Sequence, residues 1–250
     1  MSPSDWSWNA EALAGVALAG LYITASRRYA VPPWRCACFL AGCALLVAIW
    51  ATPIDTVALH YLLLVHLWQN VALAEWAPLL LVLGLAPALA ARIARPRVVR
   101  VLTHPFVALP VWLANYSLWH VPTLYDAALR HPRSLLLLEH ALYLLSGLAL
   151  WWPVFQDVPH RLPSQSRAAY VFAGFVLSAP LGLVLALVPR PMYDYYATAP
   201  ERLWGLSRIG DQQYGGISMA SEQALVFFAI FAFWFARFLQ EQDNDPAEAA

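Results

Sequence analysis

Seven stretches of this chain are long and apolar enough to be buried in lipid, and that restricts the fold more than any other feature of the sequence. A helix needs about 20 mostly apolar residues to cross a bilayer. Such stretches lie near residues 9–26, 34–52, 57–88, 104–122, 134–155, 168–189 and 218–239. Lipid offers backbone amides and carbonyls no partner, so each stretch must satisfy its own as an α-helix. The expected fold is therefore all-α, a polytopic membrane protein with seven transmembrane helices. Only 12% of the residues are charged, against roughly 25% in a soluble domain. The third stretch is too long for one straight crossing. Pro78, which has no amide hydrogen, is expected to kink or interrupt it, and Pro110 and Pro180 invite the same in the fourth and sixth.

Arginine sets the orientation, because basic loops stay in the cytoplasm. One set of connections and flanks carries Arg27, Arg28, Arg35, Arg92, Arg95, Arg97, Arg100, Arg161, Arg167 and Arg237; the other carries Arg130, Arg133, Arg190, Arg202 and Arg208. The larger set belongs inside, which places the N-terminus outside and the C-terminus in the cytoplasm. The first stretch follows Asp5 and Glu11 with no basic segment before it, so it is expected to remain as a helix and not to be cleaved as a signal peptide. No repeat divides the chain, which reads as one domain over residues 1–250 ending in a polar tail, 240–250. The connection from about 190 to 217 is the longest, and its aromatic residues argue for order.

The chain contains no lysine, which excludes a Schiff-base cofactor such as retinal despite the seven helices. Its net charge of zero gives a nucleic-acid partner no electrostatic support. No nucleophile has a base placed to activate it, so an enzyme is not expected. Cys36, Cys38 and Cys43 form no disulfide framework. Cys36 and Cys38 have the spacing of a Cu(I) site but lie at the cytoplasmic mouth of the second stretch, where packing explains them equally well.

Ionisable groups inside a membrane are costly and mark function by default. The assigned topology gathers them on one side. His60 and His66 fall in the outer half of the third stretch, His120 at the outer end of the fourth, and His140 about two turns into the fifth. Glu222 falls in the first turn of the seventh, and Met192 and Met219 flank the long outer connection. Asp126, His131, Asp194 and Asp211 lie in outer loops, while His104 and His160 are assigned to the cytoplasmic side. Imidazole, thioether and carboxylate are ligands of late transition metals, and His with Met favours copper. His60 and His66 stand about 120° and about 9 Å apart on a regular helix and cannot share one ion, whereas His66 and Asn70 share a face. Each histidine can equally be a hydrogen-bond partner between helices. Glu75 and Glu139 read either as proton-relay carboxylates or as protonated packing groups.

Several strings, taken in order, resemble one family. They are His66-Leu67-Trp68-Gln69-Asn70 running to Pro78 and Gly84, Trp119-His120-Val121-Pro122 with Tyr125-Asp126-Ala127-Ala128-Leu129, Leu138-Glu139-His140 leading to Trp151-Trp152-Pro153, Pro189-Arg190-Pro191-Met192-Tyr193, Leu203-Trp204-Gly205-Leu206, and Asp211-Gln212-Gln213-Tyr214-Gly215-Gly216. Over about residues 55–240 the chain resembles the seven-helix CtaG family of cytochrome c oxidase assembly factors, first associated with caa3-type oxidases. The resemblance implies a protein of the bacterial plasma membrane that helps build haem–copper oxidase by placing copper. Its implied partners are cytochrome c oxidase subunits, a copper donor protein and membrane lipid. His66 matches the first histidine of the family's His-x-x-x-His; Asn70 replaces the second, and an amide is a poor copper ligand. His120, Asp126, His140 and Asp211 match their motifs, whereas Glu75 and Glu222 have no counterpart.

The expected site is therefore a transient copper site with His66, His120 and His140 as ligands. His60, Asn70, Asp126, Asp211, Glu222 and Met219 are further ligand or supporting candidates. The competing readings are a haem-binding membrane protein using His66 and His140 as axial ligands, a proton-coupled transporter built on Glu75 and Glu139, and a scaffold that only holds oxidase subunits.

Overall fold

The computed structural model describes residues 2–7, 9–199 and 201–244. Residues 245–250 of the expected tail lie outside them; residues 240–243 continue the last helix. The helices are α1 Ala10–Tyr29, α2 Pro33–Ala51, α3 Pro53–His60, α4 Leu63–Gly84, α5 Pro87–Ile93, α6 Arg97–Leu102, α7 Pro105–Trp119, α8 Pro122–Arg130, α9 Pro132–Phe155, α10 Ser164–Leu187, α11 Asp194–Ala197 and α12 Arg208–Asp243. Prolines punctuate them: Pro33, Pro53, Pro87, Pro105, Pro122 and Pro132 all sit in a first turn. There the missing amide costs nothing and the fixed φ suits the helix.

Among the described residues, five helices are long and apolar enough to cross a membrane: α2, α4, α9, α10 and α12. The first and fourth predicted spans correspond to α1, which carries Glu11, Arg27 and Arg28, and to α7, which has only 15 residues. Of the five, α4 is 72% buried, against 22–50% for the others, so it is the central helix.

The predicted third span, 57–88, divides in two. The chain breaks at Tyr61–Leu62, where both residues leave helical geometry, and a separate α3 precedes α4. Pro78 does not cause that break. Its effect is a π-helical turn, Ala72–Trp76, just before it. Pro78 removes the amide that would have bonded the Ala74 carbonyl, and the Trp112 indole donates to that oxygen instead at 3.3 Å. Trp151 donates to the Glu75 carbonyl at 2.9 Å. Two indoles from neighbouring helices thus satisfy the distorted turn, as a helix in lipid requires.

Close backbone approach holds the bundle at glycines. A Cβ on Gly147 of α9 would stand 2.2 Å from the Ala74 carbonyl oxygen, and one on Gly216 of α12 would stand 2.5 Å from the Ala186 nitrogen of α10. Neither neighbour is a flexible side chain. Gly147→Ala is therefore expected to destabilise the protein by about 1–3 kcal/mol, read as a lower thermal midpoint in detergent. Gly20→Ala, with nothing within 4 Å, should leave the midpoint unchanged or raise it.

Candidate metal site

The break between α3 and α4 leaves carbonyls at one helix end and amides at the next start. The connection between α10 and α12 and the first turn of α12 supply the partners. Tyr195 and Tyr196 donate their hydroxyls to the carbonyls of Leu59 and Ala58 at 2.9 and 2.5 Å. The Asp211 carboxylate accepts from the amides of Leu63 and Leu64 at 3.0 and 2.9 Å, and from Arg202 at 2.5 Å. Asp126 in turn accepts from the amides of Asp194 and Tyr195, fixing the one-turn helix α11 that carries both tyrosines. On α3, Asp55 accepts from Asn9 and Gln69 at 2.7 and 2.9 Å. Burial raises its carboxyl above the ordinary value, and the hydrogen bonds from Gln69, Ser7 and Asn9 offset part of that rise.

His66 lies in the first turn of the α4 segment so fixed. Its side chain is fully buried, and His140 of α9 is 3% exposed. The two rings are neighbours, tilted by 35° with centres 6.5 Å apart. Tyr125 and Tyr196 lie 5.4 and 6.1 Å from the His66 ring, and Trp50 lies 6.2 Å from the His140 ring. All four ring nitrogens of the pair are buried without a hydrogen-bond partner. An unsatisfied buried polar group costs about 1–3 kcal/mol, so apolar packing does not account for two histidines here.

The separation of the two rings matches that of two imidazoles sharing one ion. Two imidazoles bound to one ion from opposite sides, each at about 2.0–2.1 Å, hold their ring centres roughly 6–6.5 Å apart. His120, the third predicted ligand, occupies the next compartment, with the Tyr125 ring 5.9 Å away between it and His66. Its Nδ1 lies 2.8 Å from the Tyr116 carbonyl, which can only accept, so Nδ1 carries the hydrogen. Its Nε2 is left as a buried lone pair with no partner. Carbonyl-oriented imidazole of this kind is the usual preparation of a metal ligand. Among the described residues, no group of three or more His, Cys, Asp or Glu side chains could hold one ion. The structure thus offers a histidine pair with a third imidazole beside it.

The supporting candidates go elsewhere. His60 is exposed at the end of α3, beyond the break. Asn70 donates to Glu139 at 3.1 Å. Asp126 and Asp211 cap helix starts, and Asp211 belongs to the first turn of α12, not to a loop. Because α12 begins at Arg208 and not near residue 218, Glu222 lies four turns into the helix. It shares a lateral pocket with Met219, Trp68 and Trp76. Sequence reasoning missed the tyrosines. Only the i,i+4 spacing of Tyr116 to His120 and the i,i+3 spacing of His140 to Tyr143 hinted at them.

Residues 17–241 match the family described as cytochrome c oxidase caa3 assembly factor, Caa3_CtaG. The chain belongs to this family. Two curated relatives are mycobacterial: the uncharacterized protein Mb0105 of Mycobacterium bovis and the uncharacterized protein MT0111 of Mycobacterium tuberculosis. Each is 26% identical over 239 residues, covering 84% of this chain and 36% of the relative. The chain therefore spans about a third of their length. No solved structure matches.

In this CtaG-family chain the residue in place of the second motif histidine, Asn70, holds a carboxyl group, and His140 of a different helix lies beside His66. Asp126→Ala and Asp211→Ala are expected to lower the thermal midpoint, each costing about 1–3 kcal/mol through unsatisfied buried amides. Copper bound per folded molecule should stay the same. A loss of copper at full stability would make either carboxylate a ligand.

Proposed function

We propose that this chain is a plasma-membrane assembly factor that holds copper transiently between His66 and His140 for delivery to a haem–copper oxidase. The observation that carries the reading is the buried pair of neighbouring imidazoles whose nitrogens have no protein partner. Two neutral nitrogens suit a soft monovalent ion that accepts few ligands, and a carrier needs exchangeable ones. His120, oriented by the Tyr116 carbonyl, is placed to take the ion on entry or exit. Membership of an oxidase assembly family agrees with this cargo, with oxidase subunits and a copper donor protein as partners, and with a role that is not catalytic.

The same pair spacing suits axial ligation of haem. The rings of Tyr125, Tyr196 and Trp50 close around the histidines, which favours a single ion over a macrocycle.

The proposed topology adds α1 and α7 to the five long helices, giving seven crossings. The connections rich in arginine meet at one end of the bundle: Arg95, Arg97 and Arg100 line one pocket with His160, and Arg161, Arg167 and Arg237 line another. His66 lies near the opposite end, at the start of α4, whose far end is held by Arg35 through the carbonyls of Leu83 and Leu85. With the arginines inside, the histidine pair faces the exterior, from which copper arrives.

Copper measured by mass spectrometry on purified protein after Cu(I) loading should be near one per chain, and His66→Ala with His140→Ala should reduce it at least tenfold. Unchanged copper removes the assignment. A single cysteine at Ser2, in a chain whose three native cysteines are replaced by serine, should react with an impermeant maleimide in intact cells. One at Asn244 should react only after lysis; the reverse pattern inverts the topology.

A further inference from the structure

A second polar cluster lies deeper in the bundle and plays no part in the histidine pair. It joins Glu75 in the π turn of α4 to Glu222 and Gln223 near the middle of α12 and to Tyr116 of α7. Glu75 and Gln223 are fully buried. The Gln223 amide donates to Glu75 Oε1 at 3.0 Å and lies 2.8 Å from the Tyr116 hydroxyl, and the Trp76 indole donates to Glu222 Oε1.

Those bonds use the hydrogens of the Gln223 amide and of the Trp76 indole. Three acceptors remain buried with no donor: Glu75 Oε2, Glu222 Oε2 and Gln223 Oε1. The two carboxyls lie within hydrogen-bonding reach of each other. Trp151, from α9, bonds only the Glu75 backbone carbonyl. The titratable side chains acting on the two carboxyls are each other, both act on Tyr116, and among the described residues no arginine or histidine offsets their charge. Two carboxylates in contact in a medium of low polarity cannot both stay ionised without a cation, and one proton between them removes the repulsion and satisfies two orphaned oxygens.

Access comes from the side. A pocket of about 390 Å³, lined by Trp68, Trp76, Ser218, Ser221, Met219 and Glu222 among others, reaches Glu222 between α4 and α12. Ser218 and Ser221 line that opening, and the Ser218 hydroxyl donates to the Tyr214 carbonyl of its own helix at 2.6 Å. Ser221 is exposed and Ser218 half-buried, while Glu75 behind them is closed off.

We propose that Glu75 and Glu222 form a proton-binding site, a carboxyl pair that holds one exchangeable proton and loads and releases it through the Ser218–Ser221 opening. The balance is an exchange: a carboxyl O–H bond breaks as a proton from solvent replaces the one that leaves, so the pair keeps one proton and one negative charge. The Gln223 amide nitrogen, donating to Glu75, and the Trp76 indole, donating to Glu222, fix the two carboxyls while this happens. The proposal does not depend on copper.

The test is infrared spectroscopy of the metal-free protein in nanodiscs, in an E139Q background so that the other buried acid of α9 contributes nothing. At neutral pH a protonated-carboxyl C=O band equal to one group per chain should be present. It should shift on transfer to D₂O within the time of the exchange, and it should persist at mildly alkaline pH because the pair retains its proton. The double variant E75Q/E222Q should lack the band, with helix content unchanged by circular dichroism. If that variant does not fold, the D₂O shift of the parent decides alone. The proposal is overturned if the parent has no exchangeable carboxyl band, or if the band survives in the folded double variant. It is also overturned if the band appears only after sodium, calcium and magnesium are chelated or dialysed away, which would make the occupant a metal cation.

Discussion

The fold around the histidines depends on how one chain break is repaired. Tyr61 and Leu62 interrupt what would be a single long helix, and an interruption at membrane depth must find partners in the protein. Asp211 supplies them on one side by accepting from the amides of Leu63 and Leu64, and Tyr195 and Tyr196 supply them on the other. The two tyrosines belong to the segment joining α10 to α12, and Asp211 to the first turn of α12. That segment is itself anchored by Asp126 and by Arg202, which donates to Asp211 at 2.5 Å and to the Tyr196 carbonyl at 2.9 Å. The connection between α10 and α12 is therefore a clamp that sets where α4 begins. His66 is the fourth residue of α4, so the clamp also sets its height and direction.

The clamp gives the two chemical roles of this end of the bundle to separate residues. Carboxylates near that end hold backbone, and imidazoles beneath them are left with free nitrogens. The tyrosines serve both layers: Tyr196 bonds α3 and its ring lines the His66 cavity, while Tyr193 stacks on Tyr125 at 3.9 Å and reaches the His120 carbonyl. A change in the clamping segment, such as contact with a partner protein, would thus be felt at the histidines through shared rings and not through a long relay.

Much of this was legible in the sequence, and the parts that were not have physical reasons. Apolar length revealed the five long helices, and the side assignment brought His66 and His140 together across two helices before any coordinates. The break at Tyr61–Leu62 was hidden because both flanks are apolar and the residues that compensate for it lie about 140 positions later. Pro78 drew attention because its missing amide is visible locally, yet a π turn and two indoles absorb it. Asp126 and Asp211 read as ligands because composition cannot tell a carboxylate that caps a helix from one that binds a metal. Glu222 was placed at a helix start because Asp211, Gln212 and Gln213 make the first turns of α12 polar; the helix runs through them, and the residue lies deep.

The account stands on two imidazoles binding one copper ion from opposite sides. X-ray absorption at the copper K-edge of the Cu(I)-loaded protein measures this directly. The predicted spectrum is that of a two-coordinate ion with nitrogen neighbours, multiple scattering from two imidazole rings and no sulfur. A spectrum dominated by sulfur would place the copper at Cys36 and Cys38, at the other end of the bundle, and would contradict the claim.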